Sequence, residues 1–253
     1  MRAVAAGLSD VGKERKHNED RYILLPEFGV FVVADGMGGH QSGEVASRMA
    51  ASTVAGYFRS SKNGSVRDSL VSALSDANAK IFARADDSRA HRGMGTTIVA
   101  AAYCPGDAML YIAHAGDSRC YRVRDGRMEQ LTRDHSLLQD ALLERPDLTE
   151  SDLAYLPRNV ITRALGIGPS VELDVRAEPV RAGDCFLLCS DGLHGLVTDE
   201  DIVKIVVNAP TLTEACQALI QRANANGGKD NVTSVLIRIE DEDAPWASAT
   251  SQR

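Results

Sequence analysis

The chain has 253 residues, enough for one large domain or two small ones, and its 44% hydrophobic and 25% charged content is that of an ordinary globular protein whose core needs no disulfide support. A formal charge of −7 with no basic stripe argues against a nucleic-acid partner, and no apolar stretch reaches the roughly 18 residues of a membrane span. The five cysteines (Cys104, Cys120, Cys185, Cys189, Cys216) form no CxxC pair and read as buried free thiols, and the N-terminus lacks a charged-then-apolar leader, so the expected location is the cytoplasm.

In chain order, Val4–Leu8, Arg21–Leu25 and the run Val30–Gly36 read as strands. The loop Gly36-Met37-Gly38-Gly39-His40 follows, with Ser42 suited to cap a helix. Val45, Met49, Thr53, Val54 and Phe58 recur at helical spacing and predict an amphipathic helix over 42–59. Ser65-Val66-Arg67-Asp68 resembles a capping box and opens a second helix, to about residue 87, with Leu70, Leu74, Ala77 and Ile81 on one face. Strands return at Thr96–Ala102, Ala108–Ala115 and Arg119–Arg124, with turns at Pro105-Gly106-Asp107 and Arg124-Asp125-Gly126. Residues 134–170 are polar, broken by three prolines and weakly helical in two pieces, as a flap over a site would be. Val171–Arg176 and Asp184–Cys189 are strands. A second helix pair at 198–209 and 211–226 follows, each helix opened by a threonine box and the pair ended by Gly227-Gly228. The last strand is 232–239, and 241–253 reads as a disordered, solvated tail. Strands separated by helix pairs fit an α+β fold, two antiparallel sheets flanked by helices, in one domain of residues 1–240.

Three strands place an aspartate beside a glycine at the tip: Ala34-Asp35-Gly36, Gly116-Asp117 and Ser190-Asp191-Gly192. Lys229-Asp230-Asn231 puts the acid at the start of a fourth. Apolar strands are driven inward, so these carboxylates converge at one rim of a shared core, where they repel unless a cation lies between them. Hard divalent ions take such oxygen ligands. Gly36 lets its carbonyl approach an ion, and Asp35 could bridge two; alone, the pair also fits a turn whose Asp caps the helix at 42. Arg15, ahead of Asp20, suits a phosphate oxyanion beside the metals, or an exposed basic loop. Glu19 and Asp20 are candidates for orienting metal-bound waters, and Asn231 stands with them behind the ligands. His40 could protonate a leaving group or be a solvated loop residue. The histidines lack zinc spacing, and no nucleotide loop is present.

The segments Arg15–Asp20 (RKHNED), VVADGMGGHxxGE (30–44), MGTT (94–97), GDSR (116–119), NVITRALG (159–166), LCSDGL (188–193) and KDNVT (229–233) together resemble the bacterial branch of the metal-dependent protein serine/threonine phosphatases, type 2C. The resemblance spans residues 7 to about 239. It implies a β-sandwich flanked by helix pairs and a binuclear Mn²⁺/Mg²⁺ centre. By that resemblance Asp35 bridges the metals, Gly36 gives a carbonyl, and Asp191 and Asp230 complete the first metal. Asp117 with Asp191 matches a third-metal position, Arg15 the phosphate grip, and 134–170 the flap. Met37 stands where many eukaryotic relatives have histidine, and His40 occupies the usual bacterial alternative. The implied partners are phosphorylated proteins, among them a serine/threonine kinase and its targets, acted on by a monomer.

Overall fold

The computed structural model describes residues 1–38, 42–60, 64–87, 91–153, 155–157 and 160–241. The expected tail from 242 onward and His40 lie outside the described residues. Two antiparallel sheets pack face to face. One holds, in spatial order, β1 (Arg2–Asp10), β11 (Val232–Glu240), β10 (Cys185–Cys189), β7 (Arg119–Arg124) and β8 (Arg127–Gln130). The other holds β2 (Asp20–Leu25), β3 (Val30–Met37), β5 (Ile98–Cys104), β6 (Met109–Ala115) and β9 (Asp174–Pro179), with the short β4 (Gly95–Thr96) paired to the end of β3.

The near-continuous apolar character of the central strands follows from burial on both faces. Along β3, Phe31 and Val33 point into the layer between the sheets, beside Val99, Phe186, Leu188 and Val235. Val30, Val32 and Ala34 point the other way, under α1 (Ser42–Ser60) and α2 (Val66–Asp86). On the opposite side, Cys185, Leu187 and Cys189 of β10 lie under α6 (Asp199–Asn208) and α7 (Leu212–Ala225). The result is four layers, α-β-β-α. Three caps follow the sequence reading: the hydroxyls of Ser65, Thr198 and Thr211 accept from the backbone N–H groups of Asp68, Asp201 and Glu214. No described helix is long and apolar enough to cross a membrane.

Several boundaries differ from the expectation, each for a local reason. The strand expected over 96–102 is interrupted at Thr97, whose N–H and hydroxyl turn toward the backbone of Asp35. The strand expected at 171–176 lies at Asp174–Pro179, because its register is set by pairing with β6, His114 opposite Asp174 and Met109 opposite Pro179. Pro179 is tolerated there because β9 is an edge strand. Asp191–His194 form a one-turn helix, α5, where the sequence suggested only a strand tip. The flap region carries α3 (Leu137–Glu144) and α4 (Glu150–Leu153). Four cysteines are buried and Cys104 is half-buried; all five are free thiols.

Candidate metal centre

The ends of β3 and β10, the β6–β7 turn and the start of β11 meet at one edge of the sandwich. A cleft of about 500 Å³ opens there, lined by Asp35, Gly36, Asp117, Asp191, Asp230 and Asn231, with Arg15, Lys16, His17, Glu19, Met37, Gly38 and Ile161 around them. Four carboxylates from segments up to 195 residues apart in sequence thus share one hollow. That separation is the difference between Asp230 and Asp35.

Each acid is fixed by its own backbone setting. The carbonyl of Asp35 accepts from the Thr97 N–H and the Thr96 hydroxyl, both at 2.8 Å, and its N–H donates to Thr97 Oγ1 at 3.2 Å. Thr97 Oγ1 also meets Ser118 Oγ at 2.8 Å, so the MGTT segment clamps Asp35 and joins it to the turn carrying Asp117. Behind Asp117, Arg119 grips Asp134 with a two-pronged contact at 2.8 and 2.7 Å. The glycines of the two Asp-Gly pairs have a packing role the sequence reading missed. A Cβ on Gly36 would lie 2.1 Å from the Gly43 carbonyl oxygen at the head of α1, and one on Gly192 would lie 2.0 Å from the Asn231 carbonyl oxygen. Real Cβ atoms do not come so near, so glycine is what lets these segments close on the site.

Asp20 sits just below the cleft. Its Oδ2 accepts from Ser190 Oγ at 2.7 Å and Thr233 Oγ1 at 2.6 Å, while its buried Oδ1 finds no donor among the described residues. The buried Oδ1 of Asp191 is likewise unpaired. Burial pushes these acids up, and the neighbouring carboxylates push further: Asp20 rises to about 6, Asp117 to about 7, and Asp35 and Asp191 also rise. Packing like charges this way is costly unless cations neutralise them. A hard-oxygen donor set with two orphaned buried oxygens fits divalent ions of the Mg²⁺ or Mn²⁺ kind.

Arg15 is half-exposed on the rim and donates to Asp230 Oδ2 at 2.6 Å, and among the described residues most of its five N–H donors are left for an incoming anion. Glu19 also lines the cleft, its carboxyl raised mainly by burial. Asn231 supports the site through backbone contacts. Its amide accepts from the Glu19 N–H and donates to the carbonyls of Val11 and His17, so it staples the Arg15 loop over the cleft. Ser190, Thr233, Thr97 and His194 were not singled out from the sequence. Their signal was adjacency to the acid-tipped strands.

Comparison with known proteins agrees with this architecture. The family model described as Protein phosphatase 2C matches residues 13–236. The serine/threonine phosphatase Stp of Listeria innocua is 35% identical over 237 residues, which span 90% of this chain and 93% of Stp. The crystal structure of the Mycobacterium tuberculosis serine/threonine phosphatase PstP superimposes with a TM-score of 0.86 at 35% identity, covering 95% of this chain and all of that one. The catalytic domain of PstP in complex with two manganese ions matches with a TM-score of 0.84 at 35% identity, covering 94% and 99%. The chain therefore belongs to the protein phosphatase 2C family.

Proposed function

We propose that this chain is a metal-dependent phosphatase that hydrolyses phosphoserine and phosphothreonine in proteins, with two Mn²⁺ or Mg²⁺ ions held by Asp35, Gly36, Asp191 and Asp230 and a third held by Asp117 with Asp191. The observation that carries this reading is the convergence of half-buried, mutually repelling carboxylates near buried Asp20, with unpaired oxygens on Asp191 and Asp20 among the described residues, beside an arginine on the rim. When bound, paired ions lower the pKa of a water and orient it toward phosphorus for in-line displacement.

The chain's own residues do the rest. Arg15 binds the phosphate through its planar fork and offsets charge on the non-transferred oxygens. Asp230 orients that guanidinium through their contact. Ser190 and Thr233 hold Asp20 through Oδ2, and the carboxylate so fixed feels the charges of Asp191 and Asp230. Glu19 lines the cleft with a carboxyl raised mainly by burial, which holds a proton more readily than an exposed glutamate does. His40 is assigned the protonation of the leaving oxygen, to be checked by the pH–rate profile of His40→Asn. Residues 1–240 form the catalytic domain in this reading, with 134–170 as its flap. In this reading the working unit is a monomer.

The reaction consumes phosphoproteins, so a serine/threonine kinase must supply its substrates, and the kinase's own phosphorylated residues are candidates. The test is Mn²⁺-stimulated phosphate release from a phosphothreonine peptide, abolished by EDTA. Metal-dependent peptide binding without release would replace this reading by that of a phosphoprotein-binding module.

A further inference from the structure

A second, smaller hollow of about 180 Å³ adjoins the carboxylate cleft and takes no part in the hydrolysis. Met37, Ile161, Arg163, Ile167, Val171 and Glu172 are among its walls. Met37 and Ile161 also line the cleft, so the two share a wall. Two of these walls pack on Gly95: a Cβ there would lie 2.8 Å from Ile167 Cδ1 and 3.0 Å from Met37 Cε, so two apolar tips rest over a residue without a side chain.

Ile167 is 55% exposed, a large aliphatic group kept in water at the edge of a reaction site. The turn presenting it is held firmly. Leu165 exchanges both backbone hydrogen bonds with Thr96, at 3.0 and 2.9 Å. The buried amide of Asn78 accepts from the Gly166 N–H at 2.8 Å and donates to the Gly168 carbonyl at 3.1 Å. A contact surface fixed before binding loses little entropy on use. The hollow offers little spare charge, because Arg163 is paired with Asp174 at 3.0 Å and Glu172 at 3.5 Å. It is also smaller than the roughly 300 Å³ at which drug-sized ligands begin to fit, and suits one side chain.

We propose that this hollow is a substrate subsite that takes one branched aliphatic side chain of the phosphoprotein, from a residue close in sequence to the phosphorylated one. An extended chain advances roughly 3.3 Å per residue, so hollows sharing a wall are bridged within about three residues. The inference rests on the phosphatase reading and names a preference within it.

The test uses the full chain with Mn²⁺, p-nitrophenyl phosphate as a small substrate, and phosphothreonine peptides in which leucine replaces serine at each position from three before to three after the phosphoresidue. One position is expected to favour leucine by about tenfold in kcat/KM, the scale of one apolar group in a matching pocket. Ile167→Asp removes that preference and leaves p-nitrophenyl phosphate turnover unchanged; Ile167→Leu keeps both. The subsite is overturned by an absence of preference at every position, by a preference that survives Ile167→Asp, or by an equal loss on all substrates in that variant. A wild-type chain that releases phosphate from none of these compounds overturns the phosphatase reading itself, which is a different result.

Discussion

His194 donates from Nε2 to the backbone carbonyl of Asp117 at 3.0 Å, tying the one-turn helix that begins at Asp191 to the turn that carries the other acid. Burial, with Arg119 nearby, lowers the imidazole to about 4, so the ring is neutral and its proton sits on the nitrogen facing Asp117. Glutamine can place an N–H at a similar reach and leucine cannot. His194→Leu is expected to weaken Mn²⁺ binding about tenfold, as lost outer contacts do at metal sites, while His194→Gln stays close to wild type. Calorimetric Mn²⁺ titration of the two variants decides; equal affinities would show that the bond positions nothing.

Ser190 serves two buried partners, donating to Asp20 Oδ2 at 2.7 Å and accepting from the Thr233 N–H at 3.0 Å. Ser190→Ala leaves one donor short and one acceptor short inside the fold. An expected loss of about 2 kcal/mol follows from the cost of unsatisfied buried groups. Urea unfolding at fixed Mn²⁺ measures it, and an unchanged midpoint would contradict the network's role.

The raised carboxylates give the metal-free protein a signed pH dependence. Burial first, then Asp191, hold Asp117 up to about 7, against roughly 3.9 in an unfolded chain. Between these values the native state carries the extra proton, so Asp117 costs stability as pH rises from about 4 to about 7, with no further loss above. In EDTA, Asp117→Asn is expected to melt close to the wild-type temperature near pH 4 and above it at pH 8. With excess Mn²⁺ the order at pH 8 reverses, because the variant has lost a ligand. A difference that does not grow with pH would mean Asp117 is not strained by its neighbours.

Arg15 is half-exposed and, among the described residues, pairs with Asp230 alone, so its removal should spare the fold. Arg15→Ala is expected to lower kcat/KM on a phosphopeptide about a hundredfold, the usual cost of losing a group that meets transition-state charge. Arg15→Lys keeps charge without the fork and recovers only part of the loss. Steady-state kinetics that show no change in either variant would remove Arg15 from the substrate site.

Much of the architecture was legible because burial on both faces writes long apolar runs, and because acids at the ends of such runs have no bland place to go. The four-layer order, both helix pairs and the convergence of Asp35, Asp117, Asp191 and Asp230 were readable in that way. What was not readable depends on tertiary neighbours. Thr97 looks like any strand threonine until Asp35 draws its N–H and hydroxyl out of the ladder. That the Asn231 amide bonds the backbone of Val11, His17 and Glu19 shows only once those distant segments are brought beside it. Gly36 was read as an opening for a carbonyl; that Gly43 also comes too near to admit a side chain is a tertiary fact. The start of β9 was misplaced because register with β6, rather than local propensity, fixes it.

Asp35 lies at the floor of the cleft and feels Asp20, Asp191, Asp117 and Asp230 together, so no other single change removes as much of the proposed centre. Isothermal titration of Mn²⁺ into wild type and Asp35→Asn, with phosphopeptide hydrolysis followed on the same samples, is the most direct measurement. At least two ions per wild-type chain, against fewer ions and a rate lower by a factor of a hundred or so in a folded Asp35→Asn, is the expected result. A variant that keeps the full metal stoichiometry and the full rate would contradict it.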